Sequence, residues 1–78
     1  MGAIQSVKIS VWRTFLKEEG LTMEPGKGDH EKWTRPGLTR PVIFQTTIDP
    51  IPAPIILNNL RTLGISKTDF LKRIGKQG

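Results

Sequence analysis

The chain contains one histidine, His30, within the segment KGDHEKW. Imidazole exchanges protons near neutral pH, and lysine ammonium groups neutralise phosphate charge. If residues 29–35 form a strand, side chains alternate, so His30 and Lys32 share one face while Trp33 points into a core on the other. Lys27, in the preceding turn, can reach the same region as His30. This combination predicts a site that handles phosphate groups.

A solvated surface is the alternative interpretation, because a lone histidine on a polar strand is most often a surface residue. The formal net charge of +5 nevertheless suits a polyanionic partner, with nucleic acid ahead of a membrane. Arg35 and Arg40 flank a later turn and are candidates for phosphate contacts, unless they are simply solvated.

Metal chemistry is not expected, because one histidine and no cysteine leave only scattered carboxylates as ligands. No other cofactor is predicted. The sequence has no apolar run long enough to span a bilayer and lacks the apolar run of a signal peptide. The absence of cysteine fits a reducing compartment, so we expect a cytoplasmic protein without membrane contact.

The length of 78 residues predicts a single domain over residues 1–78, with an ordered core at about 7–74 and short flexible termini. Apolar spacing and turn residues predict the element order α-β-β-β-α plus a short C-terminal helix. The predicted elements are a helix over 7–19, strands over 21–25, 29–35 and 42–47, a helix from Pro54 to Gly64, and a last helix from Ser66 to about Ile74. Two hairpins then give a three-stranded antiparallel sheet covered on one face by helices, an α+β fold.

Residues typical of helix ends support these bounds. Ser6 or Ser10 is the expected N-cap of the first helix, and Gly20 is expected to end it. Ser66 and Asp69 form the pattern of a capping box for the last helix.

The spacing around His30 resembles that of the HicA (YcfA-like) family of mRNA interferase toxins. Gly20 and Leu21 open a spacing of seven residues between two glycines, and the sequence KGDH, ending at His30, closes it. Trp33 stands three residues after the histidine, where the family has an aromatic residue. The segments PAPIILNNLRTLGIS and KTDFLKRI match the outline of the rest of the family, so the resemblance covers residues 8–71.

The resemblance implies an α-β-β-β-α fold like that of a double-stranded-RNA-binding domain. It implies a ribonuclease that cleaves mRNA without a metal, with His30 as the catalytic base or acid. Lys27 and Lys32 would bind phosphate, and Gly28 would shape the turn. The implied partner is a HicB-like antitoxin that masks the toxin.

Four positions depart from the family pattern. Asp29 replaces the usual serine or threonine, and Glu31 stands where a second histidine is common. Ala53 and Leu57 lie in a stretch where the family carries basic residues. These differences lower the positive charge close to His30.

An apolar cluster follows the proline-rich segment DPIPAP. One helix buries a single stripe of side chains, so we expect Ile51, Ile55 and Leu57 to form a surface for a protein partner. The alternative is that these residues pack against the first helix.

Two further functions fit the same sequence. One is a non-catalytic module that holds double-stranded RNA through phosphates and 2′-OH groups. The other is a protein-interaction domain in which the basic charge has no role.

Overall fold

The computed structural model describes residues 5–75 as a three-stranded antiparallel sheet with three helices. The helices are α1 (Ile9–Glu18), α2 (Ala53–Leu63) and α3 (Lys67–Gly75), and the strands are β1 (Thr22–Pro25), β2 (His30–Thr34) and β3 (Val42–Gln45). The strands lie in the order β1-β2-β3, so β2 is central. The predicted α+β class and the meander are confirmed. The predicted flexible termini lie mostly outside the described residues.

One cluster of buried apolar side chains joins the helices to one face of the sheet. Its largest fully buried members include Trp12 and Phe15 of α1, Ile56 and Leu60 of α2, and Phe70 of α3. The Phe70 ring meets the other two aromatic rings edge-on, with centroids 4.8 and 5.4 Å away, a favourable geometry for aromatic pairs. Within residues 5–75, no helix has the length and apolar character needed to cross a membrane.

The alternation predicted for β2 is present. Glu31 and Trp33 are buried, whereas His30 lies exposed on the other face and Lys32 is half-buried there. In β3, Phe44 is buried in the same way. The sheet therefore has a core face under the helices and an open face that carries His30.

Glu31 is a charged residue on the core face. Its carboxylate accepts two hydrogen bonds from Arg13 of α1, at 3.0 and 2.6 Å, and one from Trp33 Nε1 at 2.8 Å. The bond from Arg13 is the main reason that the pKa of Glu31 lies below its ordinary value, although burial acts in the opposite direction. The carboxylate thus links helix and strand in its ionised form.

Helix α1 begins later than predicted and has a different cap. Its N-cap residue is Lys8, whose side chain does not cap it, so neither Ser6 nor Ser10 has the predicted role. Asp49 Oδ1 instead accepts the hydrogen bond of the Ile9 amide at 3.0 Å, from 40 residues along the chain. A distant carboxylate replaces the local cap because the residues just before α1 are held against residues 49–51.

Val7 and Ile51 form the bridge that holds these segments together. Each amide donates to the other's carbonyl, at 3.0 and 2.8 Å, so Val7 extends along residue 51 and does not begin the helix. Ile51 is 1 % exposed. The prediction that Ile51 belongs to a partner surface is therefore wrong, because its side chain lies in the core.

The ends of the later helices agree with the sequence patterns. Gly64 terminates α2 in the left-handed conformation, with φ of 73°. The Asp69 amide donates to Ser66 Oγ at 3.1 Å, which is the predicted serine cap of α3. Local signals were sufficient here because both caps use neighbours in the chain.

Glu31→Gln is expected to lower the free energy of unfolding at neutral pH by about 1–3 kcal/mol, since a neutral amide replaces the charged acceptor of Arg13 and Trp33. Because folding lowers the pKa of Glu31, its stabilisation is complete above the ordinary value of 4.5 and is lost as pH falls through the folded pKa. The parent should thus lose stability more steeply than the variant below about pH 4.5. Chemical denaturation followed by tryptophan fluorescence measures both effects.

The matched control is Glu24→Gln, which neutralises an exposed carboxylate on β1. It should change the free energy of unfolding by less than about 0.5 kcal/mol. Equal losses in the two variants would contradict the special role of Glu31.

Candidate functional site

The turn before β2 brings His30 to the open face of the sheet. The His30 amide donates to the Lys27 carbonyl at 3.1 Å and closes the turn. A side chain at Gly26 would place its Cβ 2.5 Å from the His30 carbonyl oxygen, so only glycine fits there. Gly28 has φ of +60°, which glycine adopts without strain. The glycines therefore set the position at which β2, and with it His30, begins.

The Asp29 carboxylate contacts the imidazole. Its Oδ1 lies 3.2 Å from His30 Nδ1, and its Oδ2 accepts a hydrogen bond from Thr47 Oγ1 at 3.1 Å. The Asp29 carbonyl also accepts bonds from the Thr46 amide and hydroxyl, at 2.7 and 2.8 Å. Asp29 is thereby fixed to the segment that follows β3. The Asp29 carboxylate contacts Nδ1, whereas Nε2 has no hydrogen bond or ion pair within residues 5–75.

Two lysines border a depression next to the imidazole, which we call the lysine depression. It has a volume of about 510 Å³ and is lined by Pro25, Gly26, Lys27, His30, Lys32 and Ile43. Lys32 Nζ lies 3.9 Å from Glu24 Oε1, whereas Lys27 has no ion-pair partner among residues 5–75. The structure thus brings His30 and Lys32 together, as the alternation of β2 predicted, and adds Lys27 from the preceding turn, as expected.

His30 also borders a second depression of opposite character, the apolar groove. Its volume is about 530 Å³, and its lining is His30, Ile43, Phe44, Gln45, Ile48, Ile51, Pro52, Pro54 and Ile55. Ile43, Ile48 and Ile55 are 45, 43 and 39 % exposed, which is high for large apolar side chains. The imidazole therefore stands between a cationic and an apolar surface.

Leu57 and Ile55 are both exposed on α2, as predicted. Leu57 is 38 % exposed but does not line the apolar groove. The sequence predicted exposed apolar residues near the start of α2 but missed Ile43 and Ile48. Ile43 is exposed because it lies on the open face of β3, and Ile48 is exposed because it lies in the loop after β3.

Arg35 does not belong to the site. It follows the far end of β2, roughly 16 Å from His30 at 3.3 Å per residue. Its Nη1 donates to the Glu19 carbonyl at 2.7 Å and to Glu19 Oε1 at 3.4 Å, so it joins the end of β2 to the end of α1. The prediction of a phosphate contact for Arg35 is not supported, because this guanidinium is engaged in the fold.

Arg73 completes that junction from α3. Its guanidinium carbon lies 4.6 Å from the Phe15 ring centroid, and it contacts the carboxylates of Glu18 and Glu19. The hydrogen bond from Arg73 lowers the pKa of Glu19 against the opposing effect of burial. These contacts secure the helices behind the sheet, away from His30.

Arg40 is exposed, but it lies at the other end of β3 from His30. The register pairs His30 with Gln45, and Arg40 precedes that residue by five positions. At 3.3 Å per residue, the separation is roughly 16 Å. Arg40 therefore does not line the lysine depression beside His30.

No group of three histidine, aspartate or glutamate side chains within residues 5–75 is arranged to hold a metal ion. Among the described carboxylates, Asp29 and Glu24 are the ones near His30 and Lys32. The site consists of an oriented imidazole and two ammonium groups, a set suited to proton transfer beside a phosphate.

The sequence matches no model of a protein family, and no match was found for it among curated proteins or solved structures.

Asp29→Ala is expected to change the tautomer of neutral His30, because it removes the acceptor at Nδ1. In the parent protein, the proton of the neutral imidazole should reside mainly on Nδ1, and in the variant mainly on Nε2. The ¹⁵N chemical shifts of the ring measure this directly, and one histidine in the chain gives an unambiguous signal. Glu24→Gln is the control and should leave the parent's tautomer unchanged. The same tautomer in the parent and in Asp29→Ala would contradict the orienting contact.

Proposed function

We propose that the protein is a HicA-like toxin, a ribonuclease that cleaves mRNA in the cytoplasm without a metal. The observation that carries this proposal is the contact of the Asp29 carboxylate with His30 Nδ1, with Nε2 left without a hydrogen bond in the described part of the chain and two lysines beside the ring. The resemblance of the KGDH spacing to the HicA family supports the same assignment, as does the element order. We further propose that the three strands with α1 and α2 are arranged as in a double-stranded-RNA-binding domain.

The proposed reaction is an attack within the RNA strand. His30 Nε2 takes the proton of a 2′-OH, and the 2′ oxygen bonds to the adjacent phosphorus. The ammonium groups of Lys27 and Lys32 stabilise the negative charge that develops on the phosphoryl oxygens. The bond to the 5′ oxygen breaks, and that oxygen takes a proton from water or from a group in the lysine depression. The products are a 2′,3′-cyclic phosphate and a 5′-OH.

Asp29 has a defined part in this reaction. When Nε2 accepts a proton, the imidazole becomes positively charged, and the neighbouring carboxylate stabilises that charge. Thr47 holds the carboxylate in place through Oδ2. This role is given to the residue at which the chain departs from the serine or threonine of the resembled family.

His30→Ala is expected to reduce cleavage of a mixed-sequence RNA in the presence of EDTA by at least about 10²-fold, the usual contribution of a positioned base. Fragment analysis measures the rate, and the chemistry of the new ends identifies the 2′,3′-cyclic phosphate. Gln45→Ala is the matched control, because Gln45 is the exposed cross-strand neighbour of His30 and its variant should cleave at close to the parent's rate.

Three results would change the assignment. If His30→Ala cleaves RNA as fast as the parent, the role of His30 is wrong. If neither protein cleaves RNA but both retain it in a binding assay, the non-catalytic binding module becomes the better description. EDTA-sensitive cleavage would contradict a metal-independent reaction.

We also propose that the apolar groove receives a HicB-like antitoxin. Large apolar side chains exposed together beside a reactive histidine suit a partner that covers both. Ile48 and Ile55 are groove residues that lie outside the sheet and are 43 and 39 % exposed. A partner seated there would block access of RNA to His30.

Ile48→Ser with Ile55→Ser is expected to weaken binding of the protein encoded by the neighbouring reading frame by about 10-fold or more. The reason is that the complex loses two apolar side chains that the partner would bury. Inhibition of RNA cleavage should weaken in parallel, and isothermal titration measures the affinity. The control is Met23→Ser, which removes an exposed apolar side chain from β1 outside the groove. Unchanged affinity in the double variant would exclude the groove as the interface.

A further inference from the structure

The five arginines of the chain fall into two groups. Arg13, Arg35 and Arg73 each contact a glutamate behind the sheet. Arg40 and Arg61 have no ion-pair partner within residues 5–75, and both are exposed. The fold therefore leaves two guanidinium groups available for an external anion.

These two arginines line one groove, which we call the arginine groove. It has a volume of about 580 Å³ and lies between the segment before β3, β3 itself and α2. Thr39, Asn58 and Thr62 add polar side chains to its walls, and none of its lining residues is acidic. Two like charges in one groove repel each other until an anion is bound. Guanidinium groups beside hydroxyl and amide donors suit a phosphate, which arginine can bind through two parallel hydrogen bonds.

The arginine groove is continuous with the surface around His30. Ile43 lines the arginine groove, the lysine depression and the apolar groove. Helix α2 has its Pro54 end at the apolar groove and its Arg61 end at the arginine groove. The two sites are thus separated along β3 by roughly 16 Å, or about five nucleotides at 3.4 Å per nucleotide of a stacked strand.

We propose that the arginine groove binds the RNA backbone, about five nucleotides from the phosphate at His30. This inference rests on the proposed ribonuclease function for the identity of the polyanion. Its ligand is a phosphodiester strand, and the groove anchors that strand at a distance from the reacting bond. In this proposal, Arg61 and Arg40 together bind the RNA backbone. Their site is separate from the lysine depression, where Lys27 and Lys32 lie.

The experiment compares the salt dependence of binding for two variants that remove the same charge. The probe is a 2′-O-methyl RNA of about ten nucleotides, which spans both sites and cannot be cleaved by attack of its 2′ oxygen. Arg40→Gln with Arg61→Gln should reduce the slope of log K against log salt concentration by about 1.4, because each lost phosphate contact of a single strand contributes about 0.7. Lys67→Gln with Lys72→Gln, on exposed positions of α3, is the matched control and should leave the slope unchanged.

Probe length provides the second comparison. A 2′-O-methyl RNA of about three nucleotides reaches only one site at a time. The parent should therefore bind the ten-nucleotide probe more tightly than the three-nucleotide probe, and this difference in affinity should be smaller in the arginine variant. Equal slopes for the parent and the arginine variant would overturn the proposal. An equal decrease in both double variants would also overturn it, since the attraction would then arise from diffuse charge. Binding of an acidic peptide, with no binding of RNA, would assign the groove to a protein instead.

The proposed ribonuclease function and the arginine groove can fail separately. The binding experiment uses RNA that is not cleaved, so a catalytically inactive parent still reports on the groove. Conversely, cleavage can depend on His30 while the arginine variant cleaves RNA at the parent's rate and binds it with the parent's salt dependence. That result would support the ribonuclease function and overturn the proposal for the arginine groove.

Discussion

The carboxylate of Glu31 fixes which face of the central strand is buried. Because side chains alternate along a strand, a shift of one residue would move His30 and Lys32 into the core and expose Trp33. Desolvation of a carboxylate is costly, and the hydrogen bonds from Arg13 and Trp33 offset that cost only in the observed register. The same contact that attaches α1 to the sheet therefore keeps His30 on the open face.

This arrangement also divides the charges between the two sides of the sheet. On the helix side, glutamates neutralise Arg13, Arg35 and Arg73. Lys27, Arg40 and Arg61 have no such partner in the described residues, and they line depressions that share Ile43 of β3. A net charge of +5 is modest, but the pairing of the other arginines concentrates the unneutralised guanidinium charge on one surface. The position of the glutamates, more than the number of basic residues, determines where a polyanion can bind.

The sequence predicted the features that depend on neighbouring residues. The alternation of β2 placed His30 opposite Trp33, and the caps at Gly64 and Ser66 followed from local patterns. Features that depend on distant residues were missed or misassigned. The cap of α1 comes from Asp49, 40 residues away, and no local pattern identifies such a partner.

The same reason explains the misassigned functional residues. Ile51 looked like a surface residue because its burial depends on the bridge to Val7. Arg35 looked free because Glu19 becomes its neighbour only when α1 packs behind β2. Asp29 is adjacent to His30 in sequence, yet its carboxylate is also held by Thr47 from beyond β3. Composition and spacing identified the central histidine, but tertiary contacts selected its partners.

The departures from the resembled family are not equivalent when viewed on the fold. Glu31 lies on the face opposite His30 and is bound to Arg13, so a histidine at that position would not join the site in this register. Ala53 and Leu57, in contrast, lie in the first half of α2, beside Pro54 and Ile55, which line the apolar groove, so no positive charge stands next to that groove on this part of the helix. Positive charge returns on α2 at Arg61, roughly 12 Å beyond the start of the helix at 1.5 Å per residue. The helix thus presents an apolar end near the proposed reacting bond and a cationic end along the proposed path of the strand. Such a division would hold the RNA by its distant backbone while leaving the surface beside His30 open to an apolar partner.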